Sequence, residues 1–253
     1  MANERYGEFL EDTPRTFAQG LFEESATQKH PLGTIRRLSD GREFIYCQMG
    51  GAAGVAGSLY QSIAADVANS GNLAVTAAAN IGSRSISFTL GNSGLMATAN
   101  SCSEGFAHIN VGASNGMAYK IKSHAAIVAN AGGTVVLYDK VRNANIATAT
   151  SKVTITPNRC KSVILTTGSN NTGTLVGVAI VPSTAAYYVW LQKRGECAVE
   201  VDGTVVVGGA VFPAANDGTV GPGANGTTEA FFPVGICMVP NANDTWALID
   251  LRL

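Results

Sequence analysis

Residues 176–191 read VGVAIVPSTAAYYVWL, and residues 234–249 read VGICMVPNANDTWALI, 58 positions further on. Each stretch has Val-Gly, three apolar residues, Val-Pro, a small polar run and an apolar segment holding an aromatic. Val176 answers to Val234, Gly177 to Gly235, Pro182 to Pro240 and Tyr188 to Trp246. Proline fixes φ and donates no backbone hydrogen bond, so it ends a strand and opens a turn. The pattern predicts a strand, a turn and a strand, made twice. The C-terminal half is therefore read as a duplicated β module. Two copies fall short of the roughly three that a solenoid needs to bury its faces.

Outward from this pair, strand signals recur every 8–15 residues along the chain. REFIYCQ (42–48), SLYQ (58–61), SISFTL (85–90), GFAHINV (105–111), TVVLY (134–138), YYVWLQK (187–193) and CAVEV (197–201) are rich in β-branched and aromatic residues. Glycine- and asparagine-rich turns separate them. That spacing predicts an all-β fold of short antiparallel strands in sandwich- or barrel-like modules. Residues 63–69 are Ala-rich and admit a short helix. The polar run VRNANIATATSK (141–152) reads as a junction between a β module at 44–142 and a C-terminal β module at 143–253. A weaker echo relates FIYCQ…VAGSLY (44–60) to YVWLQ…VVVGGAVF (188–212).

Charge is scarce and uneven. Asp, Glu, Lys and Arg make up 14% of the chain, against about 25% in an ordinary globular domain. A free monomer relies on surface charge for solubility, so this composition suits a subunit that hides surface in an assembly. Residues 1–43 hold 14 of the 35 charged residues. This break marks 1–43 as an N-terminal arm, largely extended. Thr13-Pro14 is an N-cap followed by a favoured first helical residue, which predicts a short helix over 14–24. Phe9, Phe17, Leu21 and Phe22 are isolated apolar anchors in this arm, suited to grooves on a partner.

The remaining motifs are bland. The net charge is −1, with no basic stripe of the kind that neutralises phosphates, so nucleic acid is not an expected partner. No run of about 18 apolar residues exists to span a membrane, and the charged N-terminus lacks the apolar core of a signal peptide. Synthesis in a cytoplasm is expected, and the three N-x-T sequons are read as chance. Five widely spaced cysteines without a C-x-x-C point to reduced, buried thiols, not a metal site. Gly221–Gly226 (GPGANG) matches the string of dinucleotide-binding loops. It leads toward a strand and not a helix, so no pyrophosphate site is expected. Asp139, Asp202, Asp217 and Asp250 lie beside turns. Asp202-Gly203 reads as a hairpin turn. Tyr187, Tyr188, Trp190 and Trp246 are candidates for a sugar-binding face. No cofactor, metal or catalytic residue is expected.

The stretch YYVWLQKRGECAVEVDGTVVVGGAVFPAANDG resembles the capsid decoration, or cement, proteins of tailed bacteriophages of the marine type. The matching features are Tyr188-Val-Trp190-Leu-Gln192, Gly195, Val199–Val201, Val207-Gly-Gly209, Val234-Gly235 and Leu248–Leu253. LGTIRRLSDGREFIYC and ATANSCSEGFAHINVGASNGMAYKIKSHAA are similar as well, so the resemblance covers about residues 31–253. It implies a non-enzymatic virion protein on the outside of the head, bound to the major capsid protein and forming a homotrimer. Phe9, Phe17, Leu21 and Phe22 would be its partner-binding anchors. The alternative is a glycan-binding adhesin or head fibre.

Overall fold

A computed structural model describes residues 18–168, 171–223 and 233–253. Strand takes 42% of the chain and helix 2%, so the protein is all-β. It divides into two compact units. One comprises residues 1–64 and 159–253, and the other comprises residues 65–158, inserted within the first. This division differs from the expected boundaries at 43 and 143. The polar run 141–152 is an internal loop of the inserted unit, leading into strand Lys152–Thr156.

The inserted unit is a closed barrel. Its strands are β4 (Leu73–Ala77), β5 (Ser85–Thr89), β6 (Phe106–Val111), β7 (Ala118–His124), β8 (Gly132–Leu137) and β9 (Lys152–Thr156). They pair in the ring order β4-β5-β8-β7-β6-β9, all antiparallel. Ile86, Phe88, Ala107, Ile109, Tyr119, Ile121, Val153 and Ile155 alternate inward into one core. This is the period-2 burial that a strand with one wet face requires. A single turn of helix, α1 (Val67–Ser70), precedes β4.

The discontinuous unit holds β1 (Ile35–Arg37), β2 (Glu43–Gln48), β3 (Leu59–Gln61), β10 (Ile164–Leu165), β11 (Leu175–Ala179), β12 (Tyr188–Val201), β13 (Ala210–Pro213), β14 (Val220–Pro222), β15 (Gly235–Val239) and β16 (Thr245–Arg252). These strands build the same five-stranded ring twice. In module A the order is β2, first half of β12, β11, β3, β10, and a parallel bridge from Met49 to Val163 closes it. In module B the order is second half of β12, β16, β15, β13, β14, and a parallel pair from Val201 to Val220 closes it.

The correspondence holds residue by residue. Val178 faces Gln192 as Ile236 faces Asp250, and Ala179 faces Leu191 as Cys237 faces Ile249. Gly177 pairs Tyr60 as Gly235 pairs Val211. Leu165 pairs Tyr60 as Pro222 pairs Val211. The turns after Pro182 and Pro240 both pass through a left-handed residue at the same place, Ala186 (φ 62°) and Asp244 (φ 57°). The duplication read from 176–191 and 234–249 is therefore present, and it extends to the whole unit. The weaker echo is only half right: VAGSLY does answer to VVGGAV, but Phe44–Gln48 answers to Glu196–Glu200, not to 188–192.

One strand serves both rings. The two expected strands 187–193 and 197–201 are the single β12. A bulge between Gln192 and Arg194 shifts its register against β2 by one residue. A one-residue shift exchanges the two faces of a strand. The side carrying Trp190 and Gln192 outside barrel A thus continues as the side carrying Cys197, Val199 and Val201 inside barrel B. Leu59 and Val178, on that same side of module A, accordingly lie in the core of module B. Gly195 makes the joint, at φ 80°, where a Cβ would meet Arg42 Cγ at 2.9 Å.

The sequence also mistook several details. The hairpin expected at Asp202-Gly203 is absent, because β12 and β13 are not neighbours; Asp202 N bonds instead to Val220 O at 2.9 Å. Val220–Pro222, read as the start of a loop, is a strand, and residues 224–226 of the GPGANG string lie outside the described residues.

Candidate interaction surfaces

Module A is covered on its outer side by the chain that precedes it. Gln19 is buried at 2% exposure. Its amide nitrogen donates to Glu23 O at 2.7 Å and Tyr188 O at 2.8 Å, and its amide oxygen accepts from the Tyr46 hydroxyl at 2.8 Å. The Trp190 indole donates to Gln19 O at 3.2 Å. Ser25 and Tyr188 form a reciprocal antiparallel bridge, at 3.0 and 2.8 Å. The Glu24 carboxylate accepts from Thr184 N at 2.5 Å and from its hydroxyl at 2.9 Å. The His30 ring lies 5.1 Å from Tyr46 and 5.4 Å from Trp190, and burial lowers its pKa. Leu32 and Leu38 complete this layer within the module A core.

This arrangement corrects the arm reading for the described part of 1–43. Residues 18–38 are packed on their own domain. The expected helix is not formed over 18–24. Gly20 makes a turn with Glu23, and the following backbone bonds to β12 and not to itself. A glycine costs a helix interior about 1 kcal/mol, and the pairing to Tyr188 supplies the competing hydrogen bonds. Of the four expected anchors, Phe9 and Phe17 lie outside the described residues. Leu21 is half-buried against the module A core, and Phe22 is 69% exposed.

Module B presents the corresponding side to solvent. The residues equivalent to Ile180, Val181 and Tyr188 are Met238, Val239 and Trp246, which are 39%, 55% and 52% exposed. Val206 and Val207 continue the strip, at 62% and 69%, because Gly208 N bonds to Cys237 O at 2.8 Å and holds their turn beside β15. One edge of the Trp246 indole lies against Gly57, where even a Cβ would clash with its nitrogen. Nothing in the sequence distinguished Trp246 from Trp190; the pairing register does.

Below this strip the β1–β2 turn and module B border an open cleft of about 930 Å³, lined by Asp40, Arg42, Glu196, Met238 and Arg252 among others. Apart from Glu196, its charged side chains stand in ion pairs. Arg42 holds Asp40 at 2.7 Å, Arg252 holds Asp250 at 2.9 Å, and Glu43 meets Arg37 at 3.1 Å and Arg194 at 3.7 Å. The cleft therefore offers no concentrated field of one sign to an ionic substrate.

The remaining candidates have structural partners. Asp139 lies 3.9 Å from Arg142, Asp202 accepts from Asn216 N at 3.1 Å, and Asp217 accepts from Gly168 N at 2.9 Å. Trp190 is fully buried and does not line a surface for sugars. All five cysteines are free and buried. Burial pushes the Cys197 thiol up to about 12 and raises Cys47, while a hydrogen bond from Cys47, with Arg159 nearby, lowers Cys160. Among the described residues no three His, Cys, Asp or Glu side chains converge to hold a metal, and no helix is long and apolar enough to cross a membrane. The chain matches no protein-family model, no curated protein and no solved structure with which it was compared.

Proposed function

We propose that this protein is a structural virion component that decorates the outside of a phage head and stabilises the shell of the major capsid protein. One observation carries the reading. The residues behind the resemblance are the frame of the duplicated unit. Tyr188–Gln192, Gly195 and Val199–Val201 run along the shared strand β12, Val234-Gly235 opens β15, and Leu248–Leu253 lies on β16. A likeness held by framework positions is one of fold, and a rigid, turn-rich, charge-poor β frame suits binding by surface burial. Clamping would work by mass action, since a ligand of the closed shell favours that shell over its loosened state. Phe22 is the anchor left on the described surface for such a contact. Burying a side chain of this size is worth about 1.5–3 kcal/mol.

The test mixes purified protein with heads that lack it. Saturable binding to heads, with a rise in their resistance to heat or chelator, is the expected outcome. Phe22→Ala should weaken it without changing the melting temperature of the free protein. Binding to host cells with none to heads would reject this role in favour of an adhesin.

A further inference from the structure

Charge is segregated along this chain. Residues 65–158, the inserted barrel, hold six Lys and Arg against three Asp and Glu, a net charge of +3. Residues 195–253, from which module B is drawn, hold seven Asp and Glu against one Arg, a net charge of −6. Each carries an apolar face beside uncompensated charges of its own sign. On the barrel, Phe106 stands opposite Lys120 across β6 and β7, and the Lys120 ammonium lies 6.0 Å from the centre of the Tyr138 ring. Arg84 donates to the Tyr138 carbonyl, so aromatic and cationic residues alternate in one row. Phe106, Val136 and Tyr138 are exposed. Among the described residues, Arg84, Lys120 and Lys122 have no acidic partner.

On module B the outer face of β12, β16 and β15 has the opposite sign. Glu200 stands opposite Trp246, Ala198 opposite Leu248, and Leu248 beside Val239. Gly57 holds one edge of the indole and Asn241 bonds the Trp246 carbonyl, yet Trp246 stays half exposed, with Met238 and Val239 exposed beside it. Glu196 and Glu200 border this strip, and neither has a basic partner among the described residues. We propose that the barrel face of one copy, centred on Phe106, Lys120 and Tyr138, docks on the module B face of a second copy, centred on Trp246 and Val239 between Glu196 and Glu200. The occupant follows from complementarity. Contiguous exposed apolar patches are sites of association. Like charges oppose either face meeting itself, whereas each face supplies the sign that the other lacks. A contact that joins two different faces is head-to-tail, and such contacts close into rings when the rotation allows. The inference goes beyond the decoration role and does not depend on a phage head.

The experiment uses the full chain and two charge reversals, Lys120→Glu with Lys122→Glu on the barrel, and Glu196→Lys with Glu200→Lys on module B. All four positions lie on outer strand faces, so both variants should keep the circular dichroism of the parent. Sedimentation at micromolar concentration and low salt should give a multiple of 26.1 kDa for the full chain and the mass of one chain for each variant alone. Mixing the two variants should restore assembly, because each then meets its opposite sign, and added salt should weaken it by screening. A monomeric full chain, a variant that still assembles with itself, or a mixture that stays monomeric would each overturn the proposal. So would a monomeric full chain that binds a labelled oligothymidylate and loses it on Lys120→Glu, since the barrel face would then serve single-stranded nucleic acid. Failure of head binding with assembly intact would touch the decoration role alone.

Discussion

Gln19 shows how a residue without any sequence signal governs a surface. Its side chain and carbonyl satisfy Tyr46, Trp190, Tyr188 and Glu23 inside a closed layer. Leaving such buried groups unpaired costs about 1–3 kcal/mol. Gln19→Ala should lower unfolding free energy by that amount in urea melts, with an unchanged slope. His30 adds a pH term. Burial depresses its pKa below 6.5, so the unfolded chain takes the proton more readily. Stability contributed by neutral His30 is therefore present above pH 6.5 and declines as pH falls below it. His30→Phe should flatten that part of the stability–pH curve. Gly177 and Gly235 mark the duplication most sharply. An added Cβ would meet Gln192 O at 2.8 Å and Leu191 Cβ at 2.9 Å in one case, and the Asp250 carbonyl and Ile249 in the other. Either glycine to alanine should destabilise by about 1–3 kcal/mol through overpacking, with Gly235→Ala the worse because its carbonyl contact is tighter.

At the level of elements, the legible part was the strand set. Period-2 runs such as SISFTL and GFAHINV report burial directly, and the repeated Val-Gly…Val-Pro pattern reports a repeated register. The twice-used β12 was not legible, because Lys193–Gly195 reads as a break when it is a bulge and a joint. The match between Phe44–Gln48 and Glu196–Glu200 was hidden for a related reason. Phe44 and Tyr46 lie under the covering layer and are large, whereas Glu196 and Ala198 face water. Within the described part of 1–43, charge is no sign of detachment, because the charged residues of 18–43 are interleaved with Leu32 and Leu38, which are buried. Deleting residues 1–30 should consequently strip Tyr46 and Trp190 of cover, lower the melting temperature and promote aggregation. Deleting only 1–17 should leave the melting temperature of the monomer unchanged.

For the whole molecule, the insertion was invisible in sequence, since Ile63–Asp66 and Pro157–Cys160 carry no composition break. Its closed ring and separate core predict independent folding. Residues 65–158 expressed alone should give dispersed amide spectra and a cooperative melt. A chain in which a Gly-Ser linker replaces them should keep the two-ring unit, read out as undiminished burial of Trp190 fluorescence. Thiol titration of the denatured full chain without reductant should report five free thiols, as the buried cysteines imply.

The strand common to both rings has a mechanical consequence. β12 is hydrogen-bonded to β2 and β11 along its first half and to β16 along its second. A force applied at one end of the unit travels lengthwise through it and loads these ladders in shear. Bonds loaded that way must fail together, whereas a hairpin pulled open at its tip loses them one at a time. Tension along β12 should therefore be borne at far higher load than tension peeling β16 from its end, and the protein should behave as a tie with a stiff axis and a weak edge.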